Sequence, residues 1–176
     1  MKKATLTFAN QTLREIVRVS IGGSLIRVRL SNAYGKEAVE IGAAHVALRR
    51  QDSALIPGSD RALTFSGQSK ITIPPNALLL SDPIALDVPP SSDLAISIFL
   101  PKPALGAGIH YSAEQTNYAA AGDLTSAPSL PNASTLGSWV FLTGIDVAAP
   151  QSASTLVAFG DSISGVRWSD RFRQGR

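Results

Sequence analysis

A chain of 176 residues and 18.4 kDa fits one ordinary domain with room for the start of a second. Hydrophobic residues make up 44% and charged residues only 16%, which excludes intrinsic disorder and coiled coil, and the absence of Cys excludes disulfide scaffolds, thiol catalysis and Cys-ligated zinc. The net charge of +3 belongs to the end of the chain, because residues 163–176 carry four Arg and one Asp while the rest balances at 12 basic and 12 acidic groups; no domain-wide basic face for nucleic acid is expected.

The first ten residues are too short and too polar a run for a signal-peptide core. No apolar run comes near the roughly 18 residues that would cross a membrane, so no membrane span is expected. Leu13–Ile21 then alternates imperfectly, with Leu13, Val17, Val19 and Ile21 as an inner set and Arg14, Arg18 and Ser20 outward. Leu25–Asn32 alternates cleanly, Ile26, Val28 and Leu30 against Arg27, Arg29 and Ser31. Gly22-Gly23-Ser24 between the two runs predicts a tight hairpin. If those strands pair, Arg14, Arg18, Arg27 and Arg29 share one solvated cationic face.

Further strands are predicted at Val39–Leu48, Ala62–Phe65, Lys70–Ile73, Ile84–Val88, Leu94–Leu100, His110–Tyr118 and Trp139–Val147. Turn clusters rich in Pro, Gly, Asn, Ser and Asp separate them, and no long segment shows the helical period. The expected fold is all-β, an antiparallel sandwich of jelly-roll type, over residues 1–150. Ala119–Ser138, rich in Ala, Ser, Pro and Gly, reads as a long surface loop.

Isolated candidates along this stretch take ordinary roles. His45 sits mid-strand and reads as a satisfied strand histidine. His110 opens a strand and reads as a capping or packing residue. Asp52, Asp60, Asp82, Asp93 and Asp123 lie singly in turns, so neither a metal nor another cofactor is expected. Tyr34, Tyr111, Tyr118, Trp139 and Phe141 are the aromatics available for a sugar-stacking face, although the core has first claim on them.

The pattern changes after residue 150. Ala148–Ser154 has linker composition, and Thr155–Phe159 is a continuous apolar run, as in a strand covered on both faces. Gly160-Asp161-Ser162 ends it. Glycine permits a sharp turn at the C-terminal end of such a strand, where α/β folds place their chemistry. Asp161 can hold that turn, and Ser162 can present its hydroxyl to a substrate and its backbone N–H to a developing oxyanion.

Leu156–Ser164 resembles the first sequence block of the SGNH, or GDSL, hydrolases. The region before it is similar to the β-sandwich that precedes the catalytic domain in a bacterial subgroup of that family. The residues that carry this are Gln11–Arg18, Gly22-Gly23, Ile26–Asn32, Ile41–Leu48, Pro57–Phe65, Leu80–Pro83 and Gln115–Tyr118. The resemblance implies a second unit, residues 151–176, formed by the truncated first strand of an α/β SGNH domain. It implies a serine esterase or acylhydrolase acting on lipid-like, acetylated or polysaccharide esters, with Ser162 as nucleophile and Gly160 and Asp161 as motif turn. It also implies a downstream Gly, Asn and Asp-x-x-His, which residues 163–176 do not contain, so the fragment alone is expected to be inactive. Family members are often secreted or periplasmic. The alternative is a non-catalytic sandwich that binds carbohydrate or a protein partner. Residues 155–159 are expected to dock on a sandwich edge or to pair with a second copy of the chain.

Overall fold

The computed structural model describes residues 6–111, 113–149 and 151–154. Among the described residues the chain forms fifteen strands and no helix, hence none long and apolar enough to cross a membrane. The strands are β1 (Thr7–Phe8), β2 (Gln11–Arg18), β3 (Gly23–Ser31), β4 (Val39–Ile41), β5 (Ala43–Gln51), β6 (Ala54–Leu55), β7 (Arg61–Ala62) and β8 (Ile71–Ile73). There follow β9 (Leu78–Leu80), β10 (Ile84–Val88), β11 (Asp93–Leu100), β12 (Ala104–Leu105), β13 (Asn117–Ala121), β14 (Ser134–Leu136) and β15 (Leu142–Val147).

All pairings between these strands are antiparallel. The large sheet runs β14-β13-β2-β11-β5-β6, with β7 also on β5; a small sheet sets β3 between β15 on one side and β10 and β9 on the other. One continuous core fills the space between them. Leu13, Val46, Leu94, Ile96 and Ile98 of the large sheet meet Ile26, Val28, Leu30, Leu86 and Val88 of the small one. The all-β, sandwich-like architecture is therefore the one expected from the period-two pattern.

The predicted hairpin at Gly22-Gly23 is not formed, since β2 pairs with β11 and β13 while β3 pairs with β9, β10 and β15. The two glycines carry the chain from one sheet to the other. They are needed for close approach rather than for a left-handed turn. A Cβ on Gly22 would lie 2.6 Å from the Val88 carbonyl oxygen, and one on Gly23 would lie 2.5 Å from that of Ala148. With the strands in different sheets, the four-arginine face does not form.

Arg14 shows why the outward set was misread. Residues Thr12, Arg14 and Ile16 do point away from the inter-sheet core, but that face is covered too. The segments around Ser53 and residues 122–130 lie across it and close a second apolar cluster of Ile16, Ala47, Leu55, Ala95, Tyr118 and Leu130. Arg14 is 0% exposed beneath them. Its Nε donates to Ser97 Oγ at 2.8 Å, its Nη1 to the Ser53 carbonyl at 2.7 Å and its Nη2 to the Ala127 carbonyl at 2.8 Å. Nη2 also reaches the Leu124 and Thr125 carbonyls at 3.2 and 3.3 Å. So the stretch expected to be a surface loop is an ordered cover, bounded by β13 and β14 and pinned by a guanidinium. The predicted strand His110–Tyr118 likewise shifts: His110 makes only an isolated bridge to Trp139, and the strand itself begins at Asn117.

Glu15, the next residue, points the other way and is also 0% exposed. Its carboxylate accepts the Val140 N–H at 2.5 Å and the Leu142 N–H at 3.2 Å, tying β2 to the start of β15 in the opposite sheet. Burial pushes its pKa up to about 7, against the two N–H groups, which favour the ionised form.

Two predictions follow from this dipeptide. Arg14→Met leaves four backbone carbonyls and the Ser97 hydroxyl short of their donor in a buried place, and urea unfolding should show a loss of about 3 kcal/mol or more. For Glu15 the sign is set by a folded pKa of about 7 above the ordinary 4.5, so the unfolded chain releases the proton first. The Glu15 contribution is then fully present below about pH 4.5 and is lost as pH rises through 7, by about 3 kcal/mol in all. Glu40 and Asp82, held below their ordinary values of 4.5 and 3.8 chiefly by hydrogen bonds from Lys102 and Thr64, act only at lower pH. Urea midpoints between pH 4.5 and 8 should slope downward in the native chain, and Glu15→Gln should flatten that slope.

Candidate functional site

The triplet Gly160, Asp161 and Ser162, where the sequence reading expects the chemistry, lies outside the described residues, as does the apolar run 155–159. The described chain does fix where the path toward them begins. β15 is the last strand, antiparallel to β3, with Leu142 opposite Leu30 and Val147 opposite Ile26. The Ala148 N–H then donates to the Leu25 carbonyl at 2.8 Å. The chain thus leaves the sandwich at the end of β3 that carries Gly22 and Gly23.

A groove of about 740 Å³ opens at this end. Its walls are Ile21 to Ser24, Asp87 to Pro90, and the departing Ala148 and Ala149. The lining follows from the local sequence. Glycine lets two backbone segments approach closely. Pro89 and Pro90 have no N–H to leave unpaired in a non-strand wall. Asp87 is the only ionisable residue among the described residues of the lining. The groove can therefore take an apolar or backbone-rich surface, and its described residues include no general acid–base pair.

Neither histidine sits at this end with a free catalytic geometry. His45 lies on the covered outer face of the large sheet, opposite Ser97 and Ala62, and its Nδ1 is 2.9 Å from Asp60 Oδ2. Asp60 Oδ1 is buried and has no hydrogen-bond partner among the described residues. This is the satisfied strand histidine expected from the sequence. His110 lies at the opposite end of the sandwich. Its backbone exchanges both hydrogen bonds with Trp139, at 2.9 and 3.2 Å, and the two rings meet tilted by 40° with 5.2 Å between centroids. Trp139 precedes β15, whereas Ala148 follows it, so the length of that strand, about 20 Å, separates His110 from the groove.

The expected aromatic face divides in the same way. Tyr118 and Phe141 are buried in the two cores, and the Trp139 indole N–H donates to the Ile16 carbonyl at 2.8 Å. Tyr34 and Tyr111 remain exposed. No three of the described His, Asp and Glu side chains lie close enough together to hold a metal ion. Sequence reasoning did not pick out the groove, because Gly22-Gly23 and Pro89-Pro90 each looked like a simple turn. The signal available was that two breaker pairs flank strands that prove to share no hydrogen bonds. No family model matches this chain, and no curated protein matches it.

Gly22→Ala and Gly23→Ala should each destabilise the sandwich by about 1–3 kcal/mol, because the nearest atom a new Cβ would meet is in each case a backbone carbonyl oxygen that cannot swing aside. Gly137→Ala, with open space around it, is the control and should be near neutral in the same unfolding assay.

Proposed function

We propose that this chain carries the N-terminal β-sandwich of an SGNH-type serine ester hydrolase, joined at residue 150 to the start of its catalytic domain. The observation that carries the reading is the order of events along the chain. The sandwich closes with β15 at Val147, a short Ala/Ser/Pro linker follows, and then comes an apolar run ending in Gly160-Asp161-Ser162. The groove at the point of departure supports it, since a second domain attached there would meet an apolar, Gly- and Pro-lined wall.

In this reading Ser162 Oγ attacks the carbonyl carbon of an ester, and its proton passes to a base. The carbonyl oxygen becomes an oxyanion held in part by the Ser162 N–H. Collapse expels the alcohol, which takes up the proton, and leaves an acyl-serine that water then hydrolyses by the same route in reverse. The base is the histidine of a downstream Asp-x-x-His, because His45 is engaged with Asp60 and His110 lies at the far end of the sandwich. Lipid-like, acetylated and polysaccharide esters are the substrate classes the resemblance suggests. The sandwich supplies a rigid mount.

The test is p-nitrophenyl acetate hydrolysis with Ser162→Ala as control. This chain alone should show the same background rate with and without Ser162, since a serine without its base loses orders of magnitude in rate. A longer product of the same reading frame, including the downstream blocks, should lose at least about a thousandfold on Ser162→Ala. Ser162-dependent turnover at an ordinary esterase rate by the short chain would contradict the assignment of the base. An unaffected rate in the longer protein would contradict the assignment of the nucleophile.

A further inference from the structure

A second concavity lies at the other end of β3, remote from the groove. It has a volume of about 270 Å³ and is lined by Asn32 and Tyr34 to Val39 on one side and by Pro103 to Leu105 and Ala107 on the other. We propose that it binds one ring of a neutral carbohydrate chain, with Tyr34 as the stacking platform. This inference goes beyond the hydrolase reading and does not depend on Ser162.

The turn that presents Tyr34 is built rigidly. Asn32 is buried, and its Nδ2 donates to the carbonyls of Glu37, Ile73 and Pro74 at 2.8, 3.1 and 3.1 Å. Its backbone oxygen accepts the N–H groups of Gly35 and Asn76, each at 3.0 Å. Gly35 is needed here, because a Cβ would run into the Asn32 side-chain amide. On this fixed frame Tyr34 is 78% exposed, the highest value among the large hydrophobic side chains of the described residues. Its ring edge lies over Gly108, where a Cβ would come within 3.3 Å of Cδ2. An aromatic ring held in water by so ordered a turn gains nothing for the fold. A ligand that covers it recovers the apolar area at no ordering cost to the protein.

The chemistry of the lining selects the ligand class. The floor is apolar, with Leu105 48% exposed beside Pro103, Ala104 and Ala107. The rim carries one cation, Lys36, and one anion, Glu37, both exposed and neither in an ion pair among the described residues. The nearby Lys102 is engaged with Glu40 at 2.8 Å. Rim charges that cancel disfavour a strongly anionic or cationic ligand. They supply a donor and an acceptor for hydroxyl groups around a ring whose C–H face rests on Tyr34 and Leu105. A pyranose has both faces, and one such ring fits the volume.

Soluble neutral oligosaccharides built on xylose, glucose, mannose or galactose, each added alone to the 176-residue chain, provide the test. The readout is chemical-shift perturbation of backbone amides, with calorimetry for the dissociation constant. At least one series should bind, with shifts confined to residues 32–39 and 103–108. Tyr34→Ala should weaken that binding at least tenfold, and Tyr34→Trp should retain it. Lys36→Ala should weaken it less. Far-UV circular dichroism checks that each variant is folded. Binding that survives Tyr34→Ala would overturn the proposal. So would the absence of any shift with every series at 10 mM, or shifts produced only by an unrelated aromatic peptide.

Discussion

Two adjacent ionisable side chains, a base and an acid, sit fully buried in an interior strand of the large sheet, and the segments around them are arranged to satisfy both. Neighbouring residues on a strand face opposite ways, so Arg14 and Glu15 do not neutralise each other. Each must be satisfied on its own face. Arg14 draws in the Ser53 turn and residues 124–127 as carbonyl donors of electron density, and Glu15 draws in the N–H groups of Val140 and Leu142. The result is that segments without regular structure are held by buried side-chain hydrogen bonds. The long cover over the outer face and the entry to β15 are both fixed by a side chain rather than by a ladder.

That arrangement has a consequence for function. Glu15 fixes the start of β15, and the ladder with β3 carries the chain from there to Ala148, beside the groove of Ile21–Ser24 and Asp87–Pro90. At the other end the Asn32 amide performs the same service for the turn that carries Tyr34. The two ends of β3 therefore hold the two concavities on which the proposals rest. One is continuous with the chain toward Ser162, and the other is remote from it. A sandwich that mounts a catalytic domain at one end and grips a polymer at the other would keep an esterase near an ester-bearing chain.

The parts legible from sequence were those where one physical rule dominates. β3, β10, β11 and β15 alternate or run apolar between turn clusters, and the structure has them close to where the pattern put them. His45 was legible because a lone strand histidine needs only one partner. Pairing was not legible. Gly22-Gly23 between two strands looks the same whether the strands join in a hairpin or part into two sheets, and the difference lies in Val88 and Ala148, far along the chain. The burial of Arg14 was hidden because alternation makes any charged residue look solvated. One trace of it was present: Ile16 shares the parity of Arg14, which breaks the inward set and indicates a second covered face. The cover itself, residues 122–133, has no period for a sequence to show, because its order comes from hydrogen bonds to Arg14, Thr12 and Ser53. Gly160, Asp161 and Ser162 rest on motif and order along the chain alone.

The measurement that bears most directly on this account is native-state hydrogen exchange, residue by residue, in Arg14→Met and Glu15→Gln beside the native chain. If each buried charge holds its own segment, Arg14→Met should speed exchange first in the cover, at Leu124 and Leu130. Glu15→Gln should speed it first at Val140 and Leu142 while the cover stays protected. Equal acceleration across the large sheet in both variants would contradict it, and would mean that the two charges merely tolerate a sandwich held together by its apolar core.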